Sequence, residues 1–173
     1  MIRFLRSVRR GRWLNPPEMS WLGDEDIQGD ALCDIQTQGC KLSVFRADTE
    51  VVTQRVVMAL AATKDRIANV DYAVFEDSRL ESLDITIQQT EVGTPDNMVN
   101  SLHYELGNLT VKQLANLAKI IATSTHERTQ QARIRSGLLE SVSNGRLNRE
   151  KIKPDLLQRL SSSIHQTLCV IDL

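Results

Sequence analysis

Apolar and polar residues recur with two different periods along this chain, and the changes of period predict its elements. Leu32 to Gln36 and Lys41 to Arg46 alternate as strands do, with Leu42 and Val44 on one face and Ser43 and Phe45 on the other. Thr37-Gln38-Gly39 between them reads as a hairpin loop, Gly39 supplying the positive φ a tight turn needs. The spacing of Val52, Val56, Ala59, Leu60 and Ile67 predicts a helix over 49–68, with Asp48 as N-cap and Glu50 in the first turn. Tyr72 to Phe75 is a short β-prone run, and Ser78 to Leu83 a single helical turn. Ile85 to Val92 alternates again and predicts a half-exposed strand at the edge of a sheet.

Thr94-Pro95 opens the next predicted helix, with Met98, Leu102, Leu106 and Leu109 as its buried stripe and Gly107-Asn108 as its stop. Thr110-Val111-Lys112-Gln113 has the form of a capping box, and Leu114, Leu117, Ala118 and Ile121 form the stripe of the helix behind it. From Thr123 to Arg133 no strongly apolar side chain occurs, which predicts a linker or a projecting helix. Two amphipathic helices follow, one with Ile134, Leu138, Leu139 and Val142, the other with Leu156, Leu157, Leu160, Ile164 and Leu168. Asn144-Gly145 separates them, and Pro154 starts the second.

The expected fold class is α+β: a small, mostly antiparallel sheet of about four strands packed with helices, plus a helical C-terminal extension. The expected organisation is a basic arm and irregular segment over 1–30, an α+β body over 31–122, and the helical extension over 123–173. The 1–30 segment is expected to lie across the body, pinned by Trp13 and Trp21, with Pro16-Pro17 and Asp24-Glu25-Asp26 breaking any helix.

A length of 173 residues suits one domain with an appendage. Apolar residues at 41% and charged residues at 25% exclude wholesale disorder. Aromatics are only 4%, so the core must be built from Leu, Val, Ile and Ala. No apolar run approaches the roughly 20 residues of a membrane-spanning helix. Cys33, Cys40 and Cys169 are an odd number without a secretory signal and read as reduced thiols in a cytoplasmic protein.

The net charge of −1 conceals segregation. Residues 1–12 carry +5, residues 13–125 carry −9 and residues 126–173 carry +3. The first segment has the composition of an organellar presequence and, with Ile2, Leu5 and Val8, of a basic amphipathic helix for an anionic membrane surface. Its arginines, Arg3, Arg6, Arg9, Arg10 and Arg12, are suited to carboxylate or phosphate, and Phe4 and Trp13 could stack on bases.

Motifs that name a reaction are missing: there is no GxSxG, no phosphate-binding glycine loop and no dinucleotide fingerprint. His103-Tyr104-Glu105 invites an acid–base reading, but His103 borders a packed face. Asp34, Asp71, Glu76 and Asp77 lie at expected strand ends, where nucleases hold Mg²⁺, without the lysine such a core uses. The cysteines and histidines lack metal-ligand spacing. No catalytic residue, metal site or cofactor is therefore assigned.

The favoured expectation is a non-enzymatic interaction protein, an accessory or structural subunit of a larger assembly. Its protein partner, or a second copy, is expected on the C-terminal helices through Leu138, Leu156, Leu160 and Ile164. The alternatives are a nucleic-acid-binding protein using the N-terminal arginines, and a small enzyme around His103.

Overall fold

The arginine-bearing N-terminal segment is the middle of a sheet. In the computed structural model, which describes residues 2–13, 26–35, 37 and 39–168 (the side chains of 162–168 excepted), Arg3–Ser7 form β1. It pairs along its whole length with β3 (Val70–Glu76), Arg3 opposite Glu76 and Ser7 opposite Tyr72. On its other side it meets β2 (Leu42–Arg46) at Phe4–Arg46 and Leu5–Phe45. β5 (His103–Gly107) and then β4 (Thr86–Gln89) follow beyond β2, and β6 (Thr125–Thr129) closes the sheet beyond β3. The order β4-β5-β2-β1-β3-β6 has every neighbouring pair antiparallel.

The α+β class holds, with six strands in the sheet rather than about four. Both faces of the sheet are covered, which explains why β1 and β3 place consecutive residues in apolar surroundings. On one face Leu5, Phe45 and Tyr72 pack with α2 (Glu50–Ala62), α5 (Gln131–Ser143) and α6 (Pro154–Leu168). On the other, Phe4, Val44, Ala73 and Phe75 pack with α1 (Gly29–Asp34), α4 (Val111–Ala122) and the 3-10 turn Asp77–Leu83.

Several expectations are corrected. Residues 3–7 are a central strand of the sheet rather than part of an irregular arm lying across the body, because Phe4 and Leu5 are core residues of the two opposite layers. The first strand of the expected hairpin is the helix α1: Ala31 and Ile35 are the buried pair, at helical spacing, while Leu32 is exposed. The helix expected from Thr94 is one short helix, α3 (Asn97–Asn100), followed by β5. Leu102 and Leu106 lie four apart by coincidence, and the true pattern is the pairing of Leu106 with Leu42 and Ile87. The polar stretch 123–133 contains β6, an edge strand with little apolar surface to bury.

Other expectations hold in outline. Thr110 and Gln113 form the capping box of α4, and β4 is an edge strand with all four residues exposed. The predicted helix from 49 runs to Ala62, with Thr49 rather than Asp48 accepting from the Val52 amide at 3.3 Å. Asp48 instead takes the Arg3 amide at 2.9 Å and the Arg46 Nε at 2.6 Å, tying β1 to β2.

The C-terminal helices pack on the body. Leu138, Leu156 and Leu160 are buried in the same cluster as α2, together with Ile134 and Ile152. Gly137 permits the close approach of α5 to α2: a Cβ there would stand 2.6 Å from Met58 Sδ. Trp13 is buried, while Trp21, Pro16-Pro17, Asp24-Glu25 and Cys169 lie outside the described residues, as does the side chain of Ile164. No helix among the described residues is long and apolar enough to cross a membrane.

Candidate anion-binding crevice

The sheet is split beside Arg6. Past Leu5–Phe45 the β1–β2 register ends, and Leu42 to Val44 continue in register with β5 alone. Arg6 and Ser7 pair only with β3. Arg6 bridges the gap, its Nη1 donating to the Ser43 carbonyl at 3.0 Å. The parting strands leave a crevice of about 500 Å³, whose lining includes Arg6, Arg9, Asp34, Lys64, Thr94 and His103. A second cleft of about 860 Å³ adjoins it, sharing Ser7, Val8, Arg9 and Lys64 and adding Arg10 and Arg66.

The charge here is locally positive. Arg6, Arg9, Arg10, Lys64 and Arg66 face Asp34, Asp65 and Asp71. Two of these acids already have cations from elsewhere: Asp65 pairs with Lys153 at 2.6 Å, and Asp71 takes Arg128 through two bonds of 2.6 and 3.0 Å. Asp34 is engaged structurally, one oxygen accepting both the Arg9 amide and the Trp13 indole. Among the described residues, Arg10, Lys64 and Arg66 have no carboxylate within salt-bridge distance. A concave surface with one sign of charge and low-dielectric walls concentrates counter-ions.

Two buried polar atoms of the lining have no partner: Arg6 Nε and His103 Nε2. Burial pulls the Arg6 pKa down, opposed by the charge of Asp34. His103 is 3% exposed. Burial lowers its pKa, against a hydrogen bond with Thr90 and the charge of Glu105, so the neutral ring predominates at pH 7. Its Nδ1 lies 2.8 Å from Thr90 Oγ1, and its ring meets Phe45 edge-on at 5.1 Å. Nδ1 is thereby committed and Nε2 is left over. Buried polar atoms are paired in the great majority of native structures, so the unpaired ones in this cleft lining are candidate ligand contacts.

The residues singled out from the sequence divide accordingly. Arg6, Arg9 and Arg10 come together at the crevice with His103. Arg3 does not, because its guanidinium is held on the Asp48 carbonyl at 2.9 Å, and Arg12 sits at the end of the turn Arg10–Arg12 outside the lining. Leu138, Leu156 and Leu160 are core residues rather than surface. The acids Asp34, Asp71, Glu76 and Asp77 do not converge: Asp71 pairs with Arg128, and Asp77 accepts the amide of the adjacent Ser78. No group of three metal-binding side chains occurs among the described residues, and Cys33 and Cys40 are exposed free thiols.

Lys64 and Arg66 were missed by sequence reasoning. Their signal was Lys64-Asp65-Arg66 just past the alanine-rich end of α2, where cations suit the helix C-terminus. Comparison with known families, curated proteins and solved structures gave no match.

Proposed function

We propose that this chain is a non-enzymatic interaction protein, an accessory subunit that holds its partner by seating an acidic segment in the cleft beside β1. The observation that carries this reading is the clustering of Arg6, Arg9, Arg10, Lys64 and Arg66 at one split of the sheet in a chain whose net charge is −1. Among the described residues of the C-terminal stripes, Leu138, Leu156 and Leu160 are spent on the chain's own core. The enzyme reading has less support. His103 is partnered by the Thr90 hydroxyl rather than a carboxylate, and Asp34 is occupied by the Arg9 amide and Trp13.

Fluorescence anisotropy with a labelled polyglutamate peptide and a labelled random DNA duplex tests the proposal. The expected result is saturable binding of the peptide, weakened about tenfold or more in the variant R9E/R10E/R66E, as expected when roughly 1.4 kcal/mol is lost. Binding of the duplex alone, falling steeply with salt, overturns the protein-partner reading in favour of nucleic acid. Binding of neither probe at low salt overturns both.

A further inference from the structure

We infer that the inner crevice, where β1 parts from β2, takes a phosphate monoester, so that the anionic partner is recognised through a phosphoryl group. This inference rests on the acidic-partner reading above and narrows it.

Three elements present polar groups to this one space. Arg6 and Arg9 come from β1 and the turn after it, Lys64 from the end of α2, and His103 from β5. Asp34 is the acid of the same lining, so the crevice carries a surplus of two positive charges. A phosphate monoester brings between −1.5 and −2 at pH 7, roughly matching that surplus, whereas a single carboxylate brings −1. Geometry points the same way. A carboxylate is planar and offers two oxygens. A phosphoryl group is tetrahedral and offers three, enough to meet donors arriving from three sides.

His103 adds a further discrimination. Its Nδ1 faces the Thr90 hydroxyl, so Nε2 is a donor if that hydroxyl donates and an acceptor if it accepts. A carboxylate ionised at pH 7 can only accept. A phosphate with its second pKa near 6 presents both O⁻ and O–H and satisfies Nε2 in either state. The Arg6 Nε–H, also unpartnered, is a donor at the same crevice. Arg10 and Arg66 then form the outer ring that meets acidic residues flanking the phosphoryl group.

The test is isothermal titration calorimetry on the full chain with four probes: inorganic phosphate, free phosphoserine, an acidic peptide carrying one phosphoserine, and the same peptide with glutamate in that place. Each titration is paired with the ¹⁵N spectrum of the His103 ring. The phosphopeptide is expected to bind at least about tenfold more tightly than its glutamate counterpart and to shift the His103 Nε2 resonance. K64Q, a change at the rim that leaves the core alone, is expected to remove most of that preference; R6Q is expected to do the same where it folds. Phosphoserine or phosphate binding as tightly as the phosphopeptide, with the His103 shift, identifies a small phosphorylated molecule as the source of the same group. Equal affinity for the two peptides, or phosphopeptide binding that leaves both His103 and the K64Q variant indifferent, overturns the inference while the acidic-partner reading stands. Phosphate binding with the His103 shift and no binding of either peptide overturns the acidic-partner reading instead.

Discussion

The indole Nε1 of Trp13 donates to Asp34 Oδ2 at 2.7 Å, and the same oxygen accepts the Arg9 amide at 2.7 Å. One carboxylate on α1 thus holds the chain leaving β1, and with it the arginines of the cleft. Trp13→Phe keeps the aromatic bulk and removes the bond. It is expected to cost about 1.5–3 kcal/mol in urea unfolding, the usual range for a hydrogen bond to a charged group. Asp34→Ala removes both bonds and is expected to cost more.

Deletion of residues 1–12 is expected to abolish cooperative unfolding. The segment contains β1, paired on both sides, and Leu5 is completely buried between α2 and the sheet. Without it β2 and β3 are exposed along unpaired edges, a condition that favours aggregation. Loss of the thermal transition in circular dichroism is the readout. A truncated chain that melts like the full one would show that β1 is dispensable.

Leu138→Ala is expected to destabilise by about 2–5 kcal/mol, and Leu160→Asp to leave no folded protein. Both side chains lie in the cluster that joins α2 to α5 and α6. Chemical denaturation checks the first and a one-dimensional proton spectrum the second. Well-dispersed resonances from Leu160→Asp would put this side chain on the surface instead.

Arg55 clamps Asp96 with two bonds, 2.6 and 3.0 Å, and Asp96 Oδ1 also accepts the Met98 amide at 2.9 Å. The Asp96 side chain is 2% exposed, so the pair fixes α3 on α2 from a desolvated position. Asp96→Ala is expected to cost about 3–5 kcal/mol, because it strands a guanidinium and uncaps a helix. Arg55→Leu, which removes the other partner, tests how much of that loss belongs to the cap.

Stability is expected to fall on acidification below about pH 6.5, with His103 contributing to the slope. Its folded pKa is depressed by burial, so the unfolded chain takes up the proton first as pH falls. The contribution is complete above the unfolded value and lost as pH drops from there toward the lower folded one. Thermal melts between pH 7.5 and 5 should show a shallower decline for His103→Gln than for the natural chain.

The capping box at Thr110 and the edge character of β4 were readable because each is a local relation, set by residues three apart or by strict alternation. The helix α2 was readable for the same reason, since its face needs only the 3.6-residue period. β5 was not. Leu102 and Leu106 satisfy the helical period as well as the strand period, and a run this short is settled by its neighbours. β6 failed differently, since Thr125–Thr129 holds no strong apolar residue and its pairing with β3 supplies what periodicity could not.

The crevice shows the same division. The amino-acid sequence by itself determined that five arginines and no acid stand in the first 12 residues, and that His103 is beside an apolar stripe. Only the tertiary structure decided that Arg6, Arg9 and Arg10 join Lys64, Arg66 and His103, which are more than 50 residues away. The physical reason is that a strand's partners are chosen by long-range burial, not by its own composition. Phe4 and Leu5 draw an arginine-rich segment into the centre of a sheet, and the incomplete match between β1 and β2 opens the cleft those arginines line.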